Sequence, residues 1–233
     1  MKAYYASGSL GDTYVILCKL YSIAKKEKIL CKHHTLWSNL RPAIKEIYSL
    51  MPNIEVEFRD DEKPLGITGQ FIHHKLVGKR MTYLPDDDGY GLNLECHPNF
   101  ELGDEDRFDL PDSYITIQLE SGANSTKKRR INGEEVKRII AKSDFPAVLI
   151  GKDNVDSNQE NGAIDLRRKT SIKEMVKVIR NSSHFYGCLG LLSLVALSQR
   201  VSSTLYKPLY LKDKHAFESR IQPIAEWKRC VAQ

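Results

Sequence analysis

Strand-like and helical patterns alternate twice along this chain, in two blocks flanking an irregular middle, and that alternation restricts the fold more than any other feature. In the first block Lys2–Ser7 is a β-prone run, and Val15, Ile16, Cys18, Leu20, Ile23 and Ala24 recur at helical spacing between Thr13 and Lys25. Lys28–His33 reads as a strand, Asn39–Leu50 as a helix and Ile54–Phe58 as a third strand. In the second block Tyr114–Leu119 and Ala147–Ile150 are strand-like, and Gly133–Lys142 is helix-like. Ser171–Asn181 is a helix opened by a capping box, Ser171 with Glu174 three residues on. His184–Gly187 follows as a strand, Leu191–Arg200 as an apolar helix and Ser203–Tyr206 as a strand. Such alternation predicts a parallel sheet with crossover helices in each block. The fold class is α/β, with two Rossmann-like halves facing a cleft.

Between the blocks, Asp60 to Pro111 is rich in Gly, Pro, Asp and His and keeps neither period. It fits an elaborated loop region, an acceptor-binding surface or a small irregular subdomain equally well. At the far end, Ala216–Arg229 carries Ile221, Ile224, Ala225 and Trp227 in the pattern of an amphipathic helix. The expected organisation is an N-terminal domain over 1–111 with the irregular insert, a C-terminal domain over 112–212, and a helix within 213–233 packing back on the first.

Composition excludes other classes. With 41% hydrophobic and 28% charged residues among 233, the chain is neither disordered nor fibrous. No apolar run reaches the ~18 residues of a membrane span. Met1 to Gly8 lacks the apolar core of a signal peptide. The five cysteines are scattered, with no CxxC pair, so neither a disulfide scaffold nor a cysteine zinc site is expected. These features predict a cytoplasmic protein. The net charge of +5 permits a polyanionic partner without demanding one. Its basic residues cluster at Lys127-Lys128-Arg129-Arg130 and Arg167-Arg168-Lys169, while acid gathers at Asp60-Asp61-Glu62, Asp86-Asp87-Asp88 and Glu101 to Asp109.

Three strand-to-helix junctions could carry chemistry. Gly8-Ser9-Leu10-Gly11-Asp12 places glycines and a carboxylate at a helix start, where Asp12 is either a general base or a cap. Glu120-Ser121-Gly122-Ala123-Asn124 ends a strand in small residues, and the cations that follow suit phosphate oxygens. Gly187-Cys188-Leu189-Gly190 with Ser193 is either a nest for a diphosphate or a tight turn. The adjacent pairs His33-His34 and His73-His74 diverge on a strand, HExxH is absent, and no metal site is expected. Nor is there a GxSxG motif, and Cys188 reads as a packing residue.

In order along the chain, these pieces resemble the heptosyltransferase-like GT-B glycosyltransferases (glycosyltransferase family 9). The Gly8–Asp12 turn looks like the family's N-terminal glycine-rich loop and aspartate. Ile117 to Ala123 followed by Lys128-Arg129-Arg130 looks like its strand, small-residue loop and basic residue. Leu166-Arg167-Arg168-Lys169-Thr170-Ser171-Ile172 is close to its Leu-x-Gly-Lys-Thr-Ser-Leu segment, and Phe185 to Leu194 resembles its donor-binding strand and loop. The resemblance implies transfer of a sugar from a nucleoside-diphosphate donor to a hydroxyl acceptor, with inversion and without a metal or other cofactor. It makes Asp12 the general base. Gly11, Ser121, Gly122, Lys128, Arg129, Gly187, Gly190 and Ser193 become donor-binding residues, with Lys169 and Thr170 bordering the base or ribose. Here Cys188 stands for the family's acidic residue, Ser193 for its histidine and Arg129 for its lysine.

The implied acceptor is a saccharide or a hydroxymethylated base in DNA. DNA would call on a basic surface, with Lys75, Lys79 and Arg80 as candidates beside the 127–130 run. A non-catalytic nucleotide-sugar or nucleic-acid binding module of the same fold is the alternative from another class, and the replaced acid and histidine speak for it. An epimerase-like enzyme is less favoured, because paired carboxylates and histidines are not in place.

Overall fold

The computed structural model describes residues 1–59, 75–76, 98–103, 107–121, 129–152, 162–207 and 225–229. The chain divides into two compact units, Met1–Glu101 and Leu102–Gln233. The division falls before the expected 111 because the intervening residues bond to the second unit. Arg107 pairs with Glu174 at 3.3 Å, and Lys177 Nζ donates to the Gly103 carbonyl at 3.2 Å.

In the first unit β1 (Lys2–Ser7), β2 (Ile29–His34) and β3 (Ile54–Phe58) pair in parallel, in the order β3-β2-β1. The connections are α1 (Leu10–Ala24), then a 3-10 turn at Ser38–Leu40 running into α2 (Arg41–Ser49). Tyr14, Ile16, Leu17, Leu20, Ile29, Ile44, Ile47 and Tyr48 are almost wholly buried and form its core. Within the irregular middle a two-residue strand, β4 (Lys75–Leu76), runs antiparallel along β1.

The second unit holds six strands in the order β12-β11-β10-β5-β8-β9, every neighbouring pair parallel. They are β5 (Ile115–Gln118), β8 (Ala147–Ile150), β9 (Ile164–Asp165), β10 (His184–Cys188), β11 (Ser203–Lys207) and β12 (Ala225–Arg229). A separate hairpin joins β6 (Glu120–Ser121) to β7 (Arg129–Arg130). Every residue of β5 and β8 is buried, as expected for central parallel strands covered on both faces. The helices α3 (Gly133–Lys142), α4 (Ile172–Arg180) and α5 (Leu191–Ser198) supply the crossovers. α3 begins where Asn132 accepts the Glu135 N–H at 2.7 Å. α4 begins at the predicted box, in which Ser171 and Glu174 satisfy each other's backbone N–H groups. Such a cap contributes about 1 kcal/mol.

One expectation is corrected. Residues 225–229 of the C-terminal segment are strand, not helix, and they extend the second unit's sheet from Ser203↔Ala225 to Lys207↔Arg229. Ala225 and Trp227 alternate with Glu226 and Lys228, a period of two that suits the open edge of β11. Among the described residues, no helix is long and apolar enough to cross a membrane.

Candidate functional site

The second unit's chain starts at β5, steps outward through β8 and β9, and returns on the other side of β5 as β10. The β5–β10 boundary is therefore the topological switch point, beyond whose carboxyl ends open α/β sheets bind ligands. Two loops meet there. Ser121 Oγ donates to the Leu189 carbonyl at 2.9 Å. A β-carbon on Gly190 would lie 2.0 Å from that same Oγ, so a side chain there would displace the hydroxyl from its bond. Gly187 is buried behind them, where a β-carbon would fall 2.4 Å from Cζ of Phe185.

Gly190 also starts α5. Its N–H donates to Ser193 Oγ and its carbonyl accepts from the same hydroxyl, both at 2.9 Å. Ser193 is fully buried, so its hydroxyl shapes the loop and is spent there. The first N–H groups of a helix have no intrahelical partner, which leaves a donor-rich end at this junction. Within the hairpin, Arg129 pairs across from Ser121 and Arg130 across from Glu120, with Arg130 Nε 3.7 Å from Glu120 Oε1. The backbone of Arg129 and Arg130 thus returns beside Glu120 and Ser121, just past the end of β5. Gly122 and Lys128 lie outside the described residues, as does the side chain of Arg129.

Lys169 and Thr170 are held elsewhere. They follow β9, which β8 separates from β5. Asp165 takes a bidentate pair from Arg167, at 2.9 and 2.8 Å, and Arg167 is almost wholly buried. The hydrogen bonds from Arg167 hold the Asp165 carboxyl below the ordinary carboxylate range. Lys169 Nζ donates to the Asp165 carbonyl at 2.6 Å. Arg168 occupies the glycine position of the resembled segment and adopts φ 60, the left-handed conformation that glycine tolerates best.

In the first unit Ser9, not Asp12, is the N-cap of α1. Oδ2 of Asp12 accepts from the backbone N–H and the hydroxyl of Ser9, at 2.8 and 2.9 Å. Its second carboxylate oxygen has no hydrogen bond among the described residues. Gly8 has φ 137, and a β-carbon there would lie 2.4 Å from Asp12 Cβ. Gly11 sits half-buried in the first turn. Sequence reasoning missed His33 beneath this turn. It is buried, with Nε2 3.3 Å from the Gly8 carbonyl and Nδ1 3.0 Å from Tyr48 Oη. Burial lowers its pKa to about 4. The available signal was its place in the alternation Ile29, Cys31, His33.

Lys75 contributes its backbone to β4, while Lys79 and Arg80 lie outside the described residues. Among the described residues, no three His, Cys, Asp or Glu side chains gather to hold a metal ion.

No protein-family model matches the sequence, and no curated protein matches it. Solved structures do match. The heptosyltransferase WaaC of E. coli, determined with ADP, aligns at TM-score 0.54 and 10% identity over 97% of this chain and 89% of its own. The heptosyltransferase TibC, described as dodecameric and iron-containing and solved with ADP-D-beta-D-heptose, aligns at 0.50 and 17% identity over 90% of this chain. A second TibC structure, from enterotoxigenic E. coli H10407, aligns at 0.49 with 16% identity over 88% of this chain. The chain spans only 56% and 58% of the length of the TibC structures. The expected α/β class with Rossmann-like units is borne out, and the chain shares the fold of the heptosyltransferase structures.

Proposed function

We propose that the protein is a nucleotide-sugar-dependent glycosyltransferase acting on a saccharide hydroxyl. The observation that carries the reading is the Ser121–Gly190 closure at the switch point. It brings Ser121 against the N-terminus of α5, and the pairing of Arg129 with Ser121 returns the chain there as a cationic residue, a combination suited to a diphosphate.

In the proposed reaction the second carboxylate oxygen of Asp12 takes the proton of the acceptor hydroxyl. The acceptor oxygen attacks the anomeric carbon from the face opposite the leaving group. The anomeric C–O bond breaks, its electron pair departs with the nucleoside diphosphate, and the sugar configuration inverts. Charge growing on the diphosphate is met by the N–H groups of α5 and by Lys128 and Arg129. Ser193 acts through Gly190 rather than on the phosphates. Lys169 and Thr170 border the nucleoside end of the donor. This reading takes the stabilising charge from the protein, so turnover should survive EDTA.

A thermal-shift screen of nucleoside-diphosphate sugars tests the donor site, and ADP-heptose is the natural first donor given what WaaC and TibC were solved with. At a hundredfold excess over Kd a donor adds about 2.7 kcal/mol. No stabilisation by any donor would remove the reading.

A further inference from the structure

A buried chain of side chains underlies the Gly8 turn, and no step of the proposed reaction uses it. Cys31 and His33 project inward from β2, and Tyr48 comes from α2. Cys31 Sγ lies 3.1 Å from Tyr48 Oη, Tyr48 Oη 3.0 Å from His33 Nδ1, and His33 Nε2 3.3 Å from the Gly8 carbonyl oxygen. The end of this chain dictates its direction. A carbonyl oxygen can only accept, so the imidazole proton sits on Nε2. Nδ1 of the neutral ring is then an acceptor, Tyr48 donates to it, and the Tyr48 oxygen accepts the Cys31 S–H. One arrangement satisfies every donor, as a buried network requires.

Gly8 is consequently gripped from both sides. Its N–H donates to the His34 carbonyl at 3.2 Å, and its own carbonyl accepts from His33. Asp12 lies against its α-carbon, so a shift of Gly8 is a shift of the carboxylate.

We infer that His33 is a positioning residue, whose Nε2–H bond to the Gly8 carbonyl fixes the Gly8–Asp12 turn and with it the Asp12 carboxylate. The catalytic consequence rests on Asp12 being the base of the proposed reaction; the anchoring does not.

The pair His33→Gln and His33→Asn tests it. The glutamine amide nitrogen reaches the Nε2 position and keeps the Gly8 bond, whereas the asparagine oxygen reaches the Nδ1 position and keeps only the Tyr48 bond. Both remove the ring, and the Asn side chain is one methylene shorter, so a packing role alone lowers global stability somewhat more for Asn without accelerating exchange at residues 8–13 in particular. The Gln variant is expected to retain most of the wild-type kcat. The Asn variant loses about 100-fold in kcat at unchanged donor Kd, the cost of misplacing a reacting group by an ångström. Amide exchange across residues 8–13 accelerates in the Asn variant alone. Equal exchange and equal kcat in the two variants overturn the inference. So does an Nδ1–H tautomer of His33 in the nitrogen NMR spectrum of the wild-type protein, which needs neither variant to fold. Asn-specific exchange in a protein without transferase activity would sustain the anchoring and discard the Asp12 assignment instead.

Discussion

The hydroxyl of Ser121 occupies the place that a side chain on residue 190 would need, 2.0 Å from the position of its β-carbon, and it is tied there to the Leu189 carbonyl. A β-carbon at residue 190 and the Ser121 hydroxyl bound to Leu189 therefore cannot both be accommodated as the loops after β5 and β10 now stand. This is a packing relationship between consecutive parts of one candidate donor site, and it makes their energetics inseparable.

Gly190→Ala should drive the Ser121 hydroxyl off Leu189 and cost about 1 kcal/mol, the net worth of an ordinary hydrogen bond. In a Ser121→Ala background the same change meets only a β-carbon, at 3.3 Å, and should cost less. Urea denaturation of the four proteins should give a coupling of at least ~0.5 kcal/mol. Additive effects would mean that the two loops are independent.

Asp12→Asn preserves an oxygen for the Ser9 N–H while removing the basic carboxylate. Folding stability and donor affinity should stay near wild type, and kcat should fall by about 10²–10⁴-fold, the usual worth of a general base. Single-turnover kinetics beside donor titration separates the two. A variant with undiminished kcat would return Asp12 to a purely structural role at the helix start.

His33 gives the first unit a pH dependence with a definite sign. Its folded pKa of about 4 lies below the ordinary 6.5, because burial penalises the imidazolium and its neighbour His34 adds repulsion. The unfolded chain therefore binds the proton more tightly. Stability is full above the ordinary value and falls as pH drops towards the folded one, approaching a loss of about 3 kcal/mol. Tyr48 faces the ring and Cys31 faces Tyr48, and both stay neutral throughout, since burial raises the pKa of both. Denaturation midpoints measured from neutral pH down to the folded pKa should slope for the wild type and be flatter for His33→Gln. Parallel slopes would contradict the assignment.

Arg168 is a non-glycine residue in the left-handed region, at φ 60, in the turn between β9 and α4. Relieving that conformation is worth about 1–2 kcal/mol, and the extra freedom of glycine in the unfolded chain returns part of it. Arg168→Gly should accordingly stabilise the protein by about 0.5–1 kcal/mol, read as a raised Tm. A lowered Tm would show that the arginine side chain contributes more than its backbone strain removes.

Features governed by local periodicity were legible in the sequence. The unbroken apolar run Ala147–Ile150 and the Ser171–Glu174 box appear where pattern placed them. Two other features were decided by partners distant in sequence, and two by local caps that periodicity alone leaves open. Ala225–Arg229 has helical and strand periods superimposed, and the free edge of β11 selects the strand. Ser193 is tied to Gly190 by two hydrogen bonds three residues away, a local cap that the strand-to-helix spacing does not distinguish from a ligand nest. His33 is separated from Gly8 by 25 residues and from Tyr48 by 15, so nothing local announces their bond. Asp12 was recognisable as chemically notable, but the cap it serves belongs to Ser9.

Sugar transfer from a nucleoside diphosphate by this chain is tested most directly by following release of nucleoside diphosphate from the purified protein across a panel of donors, with and without saccharide acceptors. Acceptor-dependent release from one donor, abolished by Asp12→Asn, is the expected result. A donor that binds but releases nothing with any acceptor, in wild type and variant alike, would contradict it and leave a binding protein on a transferase fold.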